Sequence, residues 1–173
     1  MKRIILHWTA GGYFPTFFEK QFYHFLVDAK GGVHRGIYPP EANLNVKSGR
    51  YAAHTGGGNT GSIGVALCAM AGFESKSNVG KYPITPVQIE AAFALCATLC
   101  AQYDLPVLPS TVLTHYEFGL ANPKSSSAGK IDICFLPPYP SVAPQNVGGF
   151  IRSKINWYKE KQQHAQKLSA VKS

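Results

Sequence analysis

RIILHWTAGG, residues 3–12, decides how the rest of the chain is read. Arg3-Ile4-Ile5-Leu6 is a short, nearly continuous apolar run, as expected of a buried strand; it ends at His7, and Gly11-Gly12 then break the pattern. A second β-rich run, Ser110-Thr111-Val112-Leu113-Thr114, also ends on a histidine, His115. In α/β sheets ligands bind just outside the carboxyl ends of strands. If these two strands are neighbours, their imidazoles converge there.

The segments between them supply the other parts of such a fold. In YHFLVDAKGGVHRGI, residues 23–37, two β-rich runs flank Ala29-Lys30-Gly31-Gly32, which predicts a hairpin. Glycines crowd YAAHTGGGNTGS, residues 51–62, ahead of the apolar run Ile63 to Met70. That run predicts a central strand with a glycine-rich loop at its mouth, and such loops often carry function. Thr85-Pro86 with Gln88 is a helix start of the capping-box type, and Ile89, Ala92, Phe93, Cys96, Leu99, Cys100 and Tyr103 then recur at helical spacing. From about Asn146, Phe150, Ile151, Ile155 and Tyr158 mark a last amphipathic helix that frays into a basic tail. The expected class is α/β: a central mixed β-sheet flanked by helices in a single domain, with residues 1–145 as its body and 146–173 as its C-terminal basic helix and tail.

Composition agrees with one folded domain. The 173 residues are 45% apolar and 15% charged, which argues against disorder. Of the net charge of +8, Phe150 to Ser173 carries +5, from six Lys or Arg against Glu160. Such a tail suits an anionic partner, or is simply a solvated helix face. It lacks the interleaved aromatics of a single-strand nucleic-acid binder, so no nucleic-acid partner is expected. Cys68, Cys96, Cys100 and Cys134 lie in apolar runs without metal-finger spacing and read as reduced core thiols. The opening MKRIILHWTAGG lacks the apolar stretch of a secretory signal, which gives the expectation of a protein made in the cytoplasm.

KIDICFLPP, residues 130–138, bears on the chemistry. In an extended chain Lys130, Asp132 and Cys134 would share one face. Catalytic zinc takes three ligands from His, Asp, Glu and Cys and leaves a fourth position open. His7, His115 and one residue of this segment would complete such a set, although a strand-end histidine taken singly is more often a structural group.

Five segments appear in a telling order: His7-Trp8-Thr9-Ala10, Tyr23-His24-Phe25-Leu26-Val27, Ala53-His54 before Asn59-Thr60-Gly61-Ser62-Ile63-Gly64-Val65, Thr114-His115, and Lys130-Ile131-Asp132. This ordered set, spread over residues 3 to about 138, resembles the zinc-dependent N-acetylmuramoyl-L-alanine amidases. Those include phage amidase endolysins, anhydro-muropeptide amidases and peptidoglycan recognition proteins. The resemblance implies their fold, a Zn²⁺ ion held by His7, His115 and Asp132, and catalytic roles for Tyr23 and Lys130. It also places Thr9, His54 and Asn59 at the groove that receives peptidoglycan.

The implied reaction is hydrolysis of the amide between N-acetylmuramic acid and L-alanine, with Lys130 stabilising the oxyanion and Tyr23 holding the water or moving its proton. The expected setting is a monomeric phage endolysin that acts on the cell wall after release, its basic helix drawn to the anionic envelope. A non-catalytic recognition module and a cytosolic recycling amidase are the alternatives. The recycling branch uses a glutamate as base, for which Glu41 and Glu117 are the nearest candidates here, whereas the phage and recognition branches use the tyrosine. Where the family commonly has Pro-Gly after the third ligand, this chain has Ile133-Cys134, so Cys134 could approach the metal instead.

Overall fold

The apolar N-terminal run becomes β1 (Arg3–Trp8), the strand around which the sheet is assembled in a computed structural model that describes residues 1–171. It is followed by β2 (Phe25–Val27), β3 (Val33–Arg35), β4 (Ser62–Leu67), α1 (Pro86–Gln102), β5 (Val112–Thr114), α2 (His115–Ala121) and α3 (Val147–Val171). The strand order is β3-β2-β4-β1-β5, parallel throughout except for the β2–β3 hairpin. The expected mixed sheet flanked by helices is therefore present, and β1 and β5 are neighbours in the register Ile4↔Val112, Leu6↔Thr114. That register brings His7 and His115 to the same end of the sheet.

Period-two alternation divides the sheet's faces. Ile4, Leu6 and Trp8 of β1, with Ile63, Val65 and Leu67 of β4, join the apolar cluster that includes Ile89, Phe93 and Cys96 of α1 and Ile151 and Ile155 of α3. Ile5, His7, Gly64 and Ala66 point the other way, where loops rather than long helices cover the sheet. The candidate site lies on that second face.

Local chemistry explains the starts of α1 and α2. Thr85 Oγ1 accepts from Gln88 N at 3.1 Å while Gln88 Oε1 accepts from Thr85 N at 3.3 Å, closing the capping box. The Gln88 amide also donates to Val27 O and Cys68 O, pinning α1 to the sheet. The β-rich run 110–115 ends one residue early: Thr114 is the N-cap of α2, exchanging hydrogen bonds with Glu117, and His115 is the first helical residue. This places the imidazole on a helix start rather than in an extended strand.

In α3, Arg152 pairs with Glu117 at 3.0 Å and Lys154 with Glu90 at 2.7 Å, and Glu90 also accepts from the Tyr139 and Tyr158 hydroxyls. Two of the six basic residues of the C-terminal segment thus clamp the helix to the body. Lys159, Lys161 and Lys167 lie farther along, beside or beyond the contact of Gln162 with Ala94 O, and Lys172 lies outside the described residues. Among the described residues no helix is long and apolar enough to cross a membrane.

KIDICFLPP is not extended. Cys134 N donates to Ile131 O at 2.9 Å, and Ile133 has φ +62, so residues 131–134 form a tight turn. The one-face arrangement of Lys130, Asp132 and Cys134 is overturned for that reason. Lys130 and Ile131 are exposed, Asp132 turns inward, and Cys134 packs against the core. A left-handed β-branched residue costs about 1–3 kcal/mol. Full burial of the Ile133 side chain, worth about 1.5–3 kcal/mol, offsets it.

Candidate metal centre and its groove

His7 projects from the buried carboxyl-terminal part of β1 and His115 from the start of α2, and the turn at 131–134 swings Asp132 between them. Asp132 Oδ2 lies 2.8 Å from His7 Nδ1 and 2.9 Å from His115 Nδ1, and the two rings meet edge to face with centroids 4.5 Å apart. Burial alone would raise the Asp132 pKa, but the close His115 and His7 rings outweigh it and hold the carboxyl well below its ordinary range. Burial pushes His7 the other way, below 6.5, against the pull of Asp132. An ionised carboxylate thus faces a ring that resists protonation.

The far sides of the two rings decide where their protons sit. Ser62 O can only accept, so its approach to His54 Nε2 at 3.3 Å puts the His54 proton there and leaves His54 Nδ1 an acceptor. Burial, then the neighbouring His7, keep His54 well below 6.5 and therefore neutral. Thr55 Oγ1 lies 2.7 Å from that acceptor and 3.3 Å from His7 Nε2, and His7 Nε2 is itself 3.1 Å from His54 Nδ1, so a proton on His7 Nε2 with the Thr55 hydroxyl donating to His54 satisfies all three atoms. Ser127 Oγ donates to Gly56 O at 2.8 Å and so accepts from His115 Nε2 at 2.9 Å. Where both rings are neutral, this puts their Nδ1 lone pairs on the Asp132 side, the arrangement a cation shared with the carboxylate requires.

Three potential ligand atoms, one each from His7, His115 and Asp132, lie within 4.8 Å of one another and fit a bound cation. Two imidazoles and one carboxylate form a donor set that zinc favours, with room left for a fourth ligand. No other group of three or more such side chains occurs among the described residues. Cys134 is not part of it.

The cluster lies at the floor of a groove of about 700 Å³ lined by, among others, Thr9, Tyr23, His54, Asn59, His115, Lys130 and Asp132. The Tyr23 ring packs 5.3 Å from His7, centroid to centroid. Burial first, and then the charge of Asp132, push its phenol above the ordinary range, so it keeps its proton. Lys130 stands exposed on the rim. Thr9 Oγ1 accepts from Gly11 N at 3.1 Å, and Asn59 Oδ1 accepts from Thr55 N at 2.8 Å, so both also shape the groove's backbone. Both ring nitrogens of His54 have partners within the protein, which directs that side chain towards His7.

Behind His54 the packing continues. A Cβ on Gly64 would sit 2.6 Å from His54 Cγ, so this glycine makes the notch the ring occupies. Gly64 N donates to His24 Nδ1 at 2.8 Å, and His24 Nε2 reaches Asn43 Oδ1 at 3.0 Å. Four imidazoles, His115, His7, His54 and His24, therefore stand in file, with centroids 4.5, 5.2 and 5.4 Å apart. Glu41 and Glu117 are engaged elsewhere, the first with the Tyr103 hydroxyl and the second with Arg152 and Thr114.

Sequence reasoning did not single out Thr55 and Ser127. The available signal was a pairing of loops: three successive glycines, 56–58, and three successive serines, 125–127. A Cβ on Gly56 would overlap Ser126 Oγ and one on Gly57 would crowd Ser125, so only glycine lets the loops approach this closely.

Comparisons with known proteins identify the family and the fold. The family model described as N-acetylmuramoyl-L-alanine amidase matches residues 1–132. No curated protein sequence matches. Among solved structures, N-acetylmuramoyl-L-alanine amidase LysC from Clostridium intestinale URNW superposes with a TM-score of 0.53 at 16% identity, covering 90% of this chain and 85% of that one. The Ph2119 endolysin from Thermus scotoductus MAT2119 bacteriophage Ph2119 gives a TM-score of 0.52 at 19% identity, with 88% and 83% covered. At such identities the structures share a fold, while the family match spans most of the sequence and reaches Asp132. This chain belongs to the N-acetylmuramoyl-L-alanine amidase family.

Proposed function

We propose that the protein is a zinc-dependent amidase that hydrolyses the bond between the lactyl group of N-acetylmuramic acid and L-alanine in peptidoglycan. The observation that carries this reading is the convergence of His7 Nδ1, His115 Nδ1 and Asp132 at the floor of the groove that Tyr23 and Lys130 line. Zinc held there supplies Lewis acidity towards the amide carbonyl and makes a water acidic near neutrality. Tyr23, kept neutral, holds a proton beside the reacting atoms and hands it on or orients the water. Lys130 brings a fixed cation to the carbonyl oxygen as charge builds there. Thr9 and Asn59 hold the groove walls against the substrate. His54 stands behind His7 and orients it.

Tyr23 beside the cluster, with Glu41 and Glu117 engaged elsewhere, favours the tyrosine chemistry of lytic amidases over the glutamate chemistry of recycling enzymes. The proposed setting is accordingly a phage endolysin that degrades the wall after release, as a monomer whose body and C-terminal helix form one domain. Lys159, Lys161 and Lys167 are the charges it offers to an anionic envelope.

The test combines metal analysis with release of peptides from purified sacculi and from anhydro-muropeptides. Stoichiometric zinc, loss of cleavage on chelation, and preference for sacculi are expected. Cleavage by a zinc-free protein would overturn the mechanism, binding without cleavage would make it a recognition module, and preference for anhydro-muropeptides would overturn the lytic setting.

A further inference from the structure

Ser127 is fully buried, yet it belongs to an otherwise polar loop, Asn122 to Lys130, and its hydroxyl touches no solvent. Its single proton goes to Gly56 O at 2.8 Å, so its oxygen can only accept from His115 Nε2 at 2.9 Å. The Gly56 carbonyl is brought within reach because Gly56 and Gly57 lack side chains where the loops meet. A relay thus runs from the glycine loop through Ser127 to the ring of His115. Ser127 N in turn donates to Ser125 Oγ at 3.2 Å, and Ser125 Oγ donates to Asn122 O, which fixes the serine loop on its own side.

We propose that Ser127 is a positioning residue for the metal centre: backed by Gly56 O, it holds His115 with its proton on Nε2 and its Nδ1 lone pair aimed at the ion beside Asp132. This rests on the reading of His7, His115 and Asp132 as a zinc site. Without the hydroxyl, His115 Nε2–H loses its partner. The ring is then free to rotate or to exchange its proton between nitrogens, and a fraction of its conformations no longer binds. Outer partners of ligand histidines commonly contribute 10–100-fold to metal affinity, about 1.4–2.7 kcal/mol. Ser127 reaches neither the groove nor the substrate, so its effect appears in the metal rather than in substrate binding.

The experiment is chelator competition with zinc on the full chain, comparing wild type, Ser127→Ala and Ser126→Ala, alongside nitrogen-15 spectra of the histidine rings in the cadmium-loaded protein. Ser126 is the matched control because its hydroxyl packs on Gly56 and makes no bond to a ligand histidine. Ser127→Ala should weaken zinc by about 10–100-fold while Ser126→Ala stays within about 3-fold of wild type. In the wild type, His115 should show cadmium coupling at Nδ1 and a slowly exchanging proton at Nε2, and Ser127→Ala should lose the slow exchange. Zinc affinity unchanged in Ser127→Ala would overturn the inference and leave the metal site standing. So would cadmium coupling at Nε2 of wild-type His115, a result that needs no variant to fold. A wild type that binds neither metal would instead remove the zinc reading itself.

Discussion

Acidification should loosen the packing behind the candidate metal centre through His24, and the size of the effect follows from that ring's partners. Its Nδ1 accepts from Gly64 N and its Nε2 donates to Asn43 Oδ1, so only the neutral ring satisfies both contacts. Burial, partly opposed by the Asn43 hydrogen bond, lowers its pKa from 6.5 to about 4. Between those values the unfolded chain binds more protons than the folded one. The contribution is therefore complete above about pH 6.5 and drains away as the pH falls towards 4. Near pH 4.5 the loss from this one ring is about 2–3 kcal/mol. Urea unfolding of wild type and His24→Gln, both with chelator present, measures it. His7 and His54 are also buried and held below 6.5, but both proteins contain them, so the difference between the two stability curves reports His24 together with its coupling to the adjacent His54. The variant should be less stable at neutral pH, and its deficit should shrink by about 2 kcal/mol by about pH 4.5. A deficit constant to within about 0.5 kcal/mol over that range would refute the reasoning.

The remaining predictions concern the centre itself. Gly64→Ala places a methyl 2.6 Å from His54 Cγ; it should cost about 1–3 kcal/mol in a melting experiment and weaken zinc retention, and normal values for both would mean that the His54 ring moves freely. Asp132→Ala should abolish zinc uptake measured after dialysis while Cys134→Ser keeps it, and the reverse result would move the ligand by two residues. Tyr23→Phe should retain zinc yet lose about 10²–10⁴-fold in cleavage rate, whereas retained activity would reduce Tyr23 to a packing residue.

What the sequence discloses of this fold is what local chemistry dictates. The capping box at Thr85, the glycine turn at residues 31–32 and the apolar runs of β1 and β4 are each determined within a few residues, and each appears where it is expected. Thr114-x-x-Glu117 has the same capping signature, but the β-branched run before it hides α2. The turn at 131–134 is not legible, because Ile133 takes a backbone conformation that isoleucine disfavours and only the surrounding core compensates. For the site, strand ends make His7 and His115 candidates only if β1 and β5 are neighbours, which the sequence does not say; the preference for Asp132 over Cys134 comes from the family resemblance, and in the structure it depends on that turn. Ser127 and Thr55 are silent in sequence, since a serine in a serine-rich loop acquires its role only when residues 56 and 127 meet.

The position of β1 has a consequence for how the protein is made. Of the five strands of the sheet β1 is made before its partners, although it is the penultimate strand in space: Ile4 waits for Ile63 on one side and Val112 on the other. Until then an apolar, strand-forming segment has no neighbour, a condition that slows folding and invites misassociation. Asp132 is synthesised later still, so a nascent chain carries His7 and then His115 before it can carry a complete centre. The three potential ligands are therefore all present only once Asp132 has been made, and α3, which completes the core, follows it.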